Sequence, residues 1–145
     1  MPNKIEHLKM IQEIISKFSG YSNIIKSWTI SLVTVIITLG FGLNNGEQIK
    51  ISLFISLSVI ILFLVLDMYY YMLERSYRNL YDCVRKLDEK DIDFNMTFDK
   101  KSFDSKYVGL LVSPFIGFKS PSISLLYFPL IFINIVLIIV FSFCA

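Results

Sequence analysis

The sequence predicts an all-α membrane protein. It should have three transmembrane helices, an N-terminal amphipathic helix, a second helix long enough to leave the bilayer and one short strand-like segment. Three observations predict it. The 145 residues are 54% apolar and only 18% charged, against roughly 25% charged in soluble domains. The charges leave residues 27–46, 51–66 and 120–145 empty, and apolar runs of about 20 residues match the thickness of a bilayer's hydrocarbon layer. No Gly or Pro occurs between Glu47 and Gly109, so nothing breaks a helix that continues past the second run. A soluble globular domain and a disordered chain are both excluded by this composition.

The elements follow in order. Over residues 3–19, Ile5, Leu8, Ile11, Ile15 and Phe18 form one stripe opposite Lys9, Gln12, Glu13 and Ser16, the pattern of an amphipathic helix. Its charges nearly balance (Lys4, Lys9 and Lys17 against Glu6 and Glu13), which favours packing on another helix over adsorption to lipid. Ser19-Gly20 reads as a break. A first span over 24–43 then carries Lys26 and Trp28 as its interface anchor and ends at Gly40-Phe-Gly42. The short turn through Asn44-Asn45-Gly46 makes spans one and two antiparallel neighbours.

The second span covers 49–71, closes on an aromatic belt of Tyr69, Tyr70 and Tyr71, and continues as a cytoplasmic helix to residue 90. Leu66, Tyr70, Leu73, Tyr77, Leu80, Val84 and Leu87 alternate steps of four and three, which keeps one seam along that helix. Glu74 with Arg78 and Asp82 with Lys86 stand four apart, acid first. A continuous helix over 48–90 would be roughly 60 Å long, about half of it outside the membrane. Its seam packs either on the N-terminal helix of the same chain or on seams of other copies. Residues 91–119 read as a cytoplasmic strand and an interfacial segment: 91–99 alternate polar and apolar, and the uncharged stretch 107–118 is interrupted by Pro114. Asp91, Asp93 and Asn95 match the opening of a calcium loop, but Met96 and Ser102 stand where that loop needs Gly and Glu. The third span, 122–144, follows the cap and first-turn proline Ser120-Pro121.

Orientation follows the lysines and arginines. Thirteen of the 14 lie before or at the start of span one or between spans two and three, and Lys50 stands apart beside the short turn. The N-terminus is expected in the cytoplasm and the C-terminus outside. Cys83 and Cys144 then face opposite sides, which excludes a disulfide between them. Several function classes find no support. His7 stands alone and metal spacing is absent; no nucleophile elbow or phosphate loop argues for an enzyme; a net charge of +2 without a basic patch argues against nucleic acid. No cofactor is expected.

Two features inside the membrane carry candidate function. Ser27, Ser31, Thr34 and Thr38 line up hydroxyls along one side of span one. They serve either close helix packing or a water-filled lumen, and a lumen requires several copies around an axis. Asp67 at the end of span two is an ionisable group at the hydrocarbon edge, and it either pairs with Lys26 at similar depth or drives transport. Asn134 and Pro129 in span three read as structural.

The order of parts also carries a resemblance. Leu8-Lys-Met-Ile-Gln12, Lys26-Ser-Trp28-Thr, Leu66-Asp-Met-Tyr-Tyr70 and Glu74-Arg-Ser-Tyr-Arg78-Asn-Leu-Tyr81 lie in an arrangement that resembles the small multi-span bacterial membrane effectors of nucleotide-signalling and phage-defence systems, such as the SLATT group, over residues 5–95. The resemblance implies a homo-oligomeric inner-membrane pore that permeabilises the membrane in abortive infection. Ser31, Thr34 and Thr38 would face the pore, and the helix over 75–90 would act as control element for a signalling ligand or a soluble cytoplasmic partner. A non-conducting scaffold that recruits such a partner is the alternative, and a small transporter using Asp67 is a third.

Overall fold

The computed structural model of this chain describes residues 2–43, 45–92, 94, 96 and 120–143. Three helices dominate: α1 (Pro2–Gly42), α2 (Gly46–Lys86) and α3 (Pro121–Phe143). All three are long and apolar enough to cross a membrane. A single 3-10 turn, Glu89–Asp91, follows α2.

The break expected at Ser19-Gly20 is absent, and α1 runs unbroken from Pro2 to Gly42. A glycine inside a helix costs only about 1 kcal/mol relative to alanine, too little to interrupt a segment flanked by good helix formers. The second long helix is continuous, as expected, but starts at Gly46 and stops at Lys86 instead of residue 90. Its ends are capped by local chemistry. Asn45 Oδ1 accepts the Glu47 N–H at 3.1 Å, an N-cap bond that satisfies one of the free donors of the first turn. Glu47 at the start and Arg85 and Lys86 at the end complement the helix dipole. Ser120 precedes Pro121, and its carbonyl accepts the N–H groups of Ile123 and Ser124 at 3.2 and 3.0 Å.

The strand expected over 91–99 is not found among the described residues. Asp91 closes the 3-10 turn, Ile92 is extended, and Phe94 has a φ of 54°, a left-handed conformation incompatible with a strand. The rest of that segment and the interfacial segment expected over 107–118 lie outside the described residues.

The described residues fall into two compact units. Of the described residues, one unit comprises 2–22, 69–92, 94 and 96, and the other 23–43, 45–68 and 120–143. In the first, α1 and α2 pack antiparallel through an aromatic cluster: the ring of Phe18 lies 6.2 Å from Tyr70 and 5.5 Å from Tyr77, and Tyr21 lies 5.6 Å from Tyr70. Lys4 Nζ donates to the Leu87 carbonyl at 2.6 Å, a cation placed on the carbonyl-rich end of α2. The buried line of α1 here is His7, Ile11 and Ser22, while Ile5 of the expected apolar stripe is exposed. His7 packs against Phe94 with ring centres 5.3 Å apart. On α2, Met72, Ser76 and Val84 are buried. The expected seam residues Tyr70, Leu73, Tyr77 and Leu80 are half-buried beside them, and Leu66 and Leu87 are exposed. This seam therefore packs on the N-terminal part of α1 in the same chain.

The second unit is a three-helix bundle. Its buried line on α1 is Ile25, Thr29, Val33 and Gly40; on α2 it is Ile49, Ser52, Leu53, Ser56, Ile60, Leu64 and Asp67; on α3 it is Ile123, Tyr127 and Asn134. Small and hydroxylated residues recur along these lines because close approach of helix backbones in lipid needs short side chains. Gly40 faces Ser52 so closely that a Cβ there would overlap the serine side chain.

Candidate functional site: a buried polar clasp and an outward hydroxyl stripe

A long-range ion pair in the second unit joins α1 to α2. Lys26 Nζ stands 3.1 Å from Asp67 Oδ2 and 3.4 Å from Oδ1. The Asp67 side chain is fully buried, and that of Lys26 is 14% exposed. Burying a carboxylate costs several kcal/mol unless a counter-charge and further polar groups attend it, and the neighbouring elements supply them. Tyr127 of α3 is buried in the same bundle. The Tyr127 hydroxyl is 3.4 Å from Thr29 Oγ1 of α1 and 3.4 Å from the Phe63 carbonyl of α2. Thr29 itself donates to the Ile25 carbonyl at 2.8 Å. Lys26, Thr29, Asp67 and Tyr127 thus bind three helices together at one level of the bundle.

A second polar contact lies further along. Asn134 Nδ2 donates to Ser56 Oγ, and Ser56 in turn donates to the Leu53 carbonyl at 2.8 Å. Tyr127 and Asn134 are seven residues apart and therefore share one face of α3. Pro129 lies between them inside the helix and is exposed. α3 docks through that face, and its outer side (Leu125, Phe128, Phe132, Ile133) is exposed and apolar.

The hydroxyl stripe lies elsewhere. Ser27, Ser31, Thr34 and Thr38 are all exposed. At about 100° per residue they sit roughly 140–200° around α1 from Thr29, on the side away from the chain's own bundle. Ser27, Ser31 and Thr34 donate to the carbonyls four residues earlier at 3.1, 3.0 and 2.8 Å. Each such hydroxyl has spent its single proton and still offers acceptor lone pairs. Packing by small polar residues within the chain is carried out by a different set: Thr29, Gly40, Ser52 and Ser56.

The sequence offers a Lys26–Asp67 pair as one alternative for Asp67, and the two side chains lie together. Sequence reasoning passed over Thr29 and Tyr127. The signal for Thr29 was available in its line with Ile25, Val33 and Gly40; for Tyr127 it was a hydroxyl inside an otherwise apolar run. No group of His, Cys, Asp and Glu suited to a metal ion occurs among the described residues.

Together these features define a membrane protein built on a three-helix bundle with a polar clasp. Compared with protein-family models, curated proteins and solved structures, the chain matches none.

Proposed function

We propose that this protein is a homo-oligomeric pore-type effector that permeabilises the bacterial inner membrane as part of an anti-phage response. The observation that carries the reading is the outward position of Ser27, Ser31, Thr34 and Thr38. The hydroxyls of Ser27, Ser31 and Thr34, which have already given their protons to the backbone, are poorly served by lipid, which supplies no donor. Several copies around an axis would turn the stripe toward a shared aqueous path. The resemblance of residues 5–95 to the SLATT group points the same way and supplies the defence context. The N-terminus and the end of α2 would lie in the cytoplasm, where the helix over 75–90 would receive a signalling ligand or partner.

The test is ion flux. Protein produced in cells loaded with a potential-sensitive dye, and purified protein in liposomes holding a potassium diffusion potential, should both collapse the potential. Leucine at Ser31 and Thr34 should abolish this while oligomer size is retained. An unchanged potential with wild-type oligomer in both settings would sink the pore reading, and a non-conducting scaffold that co-purifies with a soluble partner would replace it.

A further inference from the structure

We infer that the clasp of Lys26, Thr29, Asp67 and Tyr127 is the rotational key of α1: it sets which face of that helix the protein presents to the aqueous path. The inference rests on the pore reading and assigns positioning residues to it. A smooth apolar helix packed in lipid has little to fix its rotation, because lipid tails and leucine side chains are equally apolar and no hydrophobic force favours one face. Directional polar contacts do fix it. Lys26 meets Asp67 on α2 at 3.1 Å, and Thr29 meets Tyr127 on α3 at 3.4 Å.

These two α1 residues lie about 60° apart around the helix, so they grip it from two neighbours at once. The consequence is geometric. With Lys26 and Thr29 turned inward, Ser27, Ser31, Thr34 and Thr38 are turned outward, and Ile30 and Val35 flank the stripe as exposed apolar positions. Turning α1 by about 100°, one residue's worth, would exchange a hydroxyl for an apolar side chain at the presented face. The clasp itself touches no permeant ion in this scheme. It acts through the stripe.

The experiment is cysteine accessibility in the full chain, with Cys83 and Cys144 replaced by serine. Single cysteines at Ser31, Thr34, Ile30 and Val35 are challenged with a membrane-impermeant, water-soluble thiol reagent in liposomes. Labelling should occur at 31 and 34 and be absent at 30 and 35. With Asp67→Asn or Thr29→Val added, labelling at 34 should be lost and should appear at 30 or 35. The exchanged pair Lys26→Asp/Asp67→Lys should restore the original pattern, which a general loss of folding would not. Thr29→Val removes only one weak contact and keeps the test open if Asp67→Asn fails to fold. Unchanged labelling at 31 and 34 in both variants would overturn the clasp and leave the pore standing. No labelling at any stripe position in a wild-type oligomer would overturn both.

Discussion

A lysine and an aspartate buried together between two helices are coupled more strongly than their surface counterparts. Arg78 and Glu74 sit on one helix at 2.7 Å with the arginine side chain 61% exposed, and such pairs contribute a few tenths of a kcal/mol. Lys26 and Asp67 are shielded from water, so removing one partner leaves a charge with no compensation. Asp67→Asn and Lys26→Met should therefore each destabilise the protein by about 3–5 kcal/mol. The double substitution Lys26→Met/Asp67→Leu should recover most of that loss, since an apolar pair of similar size has no desolvation cost. Thermal unfolding in detergent micelles, followed by tryptophan fluorescence of Trp28, measures all three. A double variant destabilised by the sum of the two singles would show that the two residues act independently.

At the scale of the element, glycines in the same helix play opposite parts. Gly40 lies against Ser52, whereas nothing stands within 4 Å of a Cβ placed on Gly20 or Gly42. Gly40→Ala should push α1 and α2 apart and cost about 1–3 kcal/mol, the usual penalty of overpacking. Ser52→Gly should return part of it. Gly20→Ala should instead stabilise the protein by about 1 kcal/mol, because α1 is continuous there and alanine is the better helix former. The same melting experiment reads both, and equal effects at the two positions would contradict the packing described. This contrast was not readable from the sequence, where Ser19-Gly20 suggested a break and Gly40 an end. Local propensity reports a backbone preference, but the contact that makes Gly40 essential belongs to another helix.

For the whole molecule, three helices are long and apolar enough to span a membrane, and the proposed topology places the two termini on opposite faces, oriented by the basic residues. Thirteen lysines and arginines flank one side and Lys50 the other. A reporter active only in the cytosol should give signal when fused before Pro2 and none when fused after Ala145; a periplasmic reporter should give the reverse. Moving charge should move topology: three added lysines near Lys50, with Lys9, Lys17 and Lys26 neutralised, should raise the fraction of inverted chains, because basic residues beside span ends determine which side is retained. Signal from the cytosolic reporter at Ala145 in the wild type would remove the proposed orientation and with it the cytoplasmic role proposed for residues 75–90.

Charge-free runs announced the spans, and the lack of Gly and Pro after residue 47 announced the long second helix, since both are properties of neighbouring residues along one chain. The expected strand over 91–99 failed where it was visible, at Asp91 and Phe94, because alternation of polarity is a weak signal without a partner strand to pair with. Which side of α1 faces its own bundle was beyond any periodicity. A hydroxyl stripe and a mostly apolar line holding Thr29 run along opposite sides of that helix, and the choice between them was made by Thr29 meeting Tyr127 from 98 residues away and by Lys26 reaching Asp67. A one-dimensional pattern can report that a helix has a polar side; only contacts between distant residues, each directional and few in number, decide where that side points.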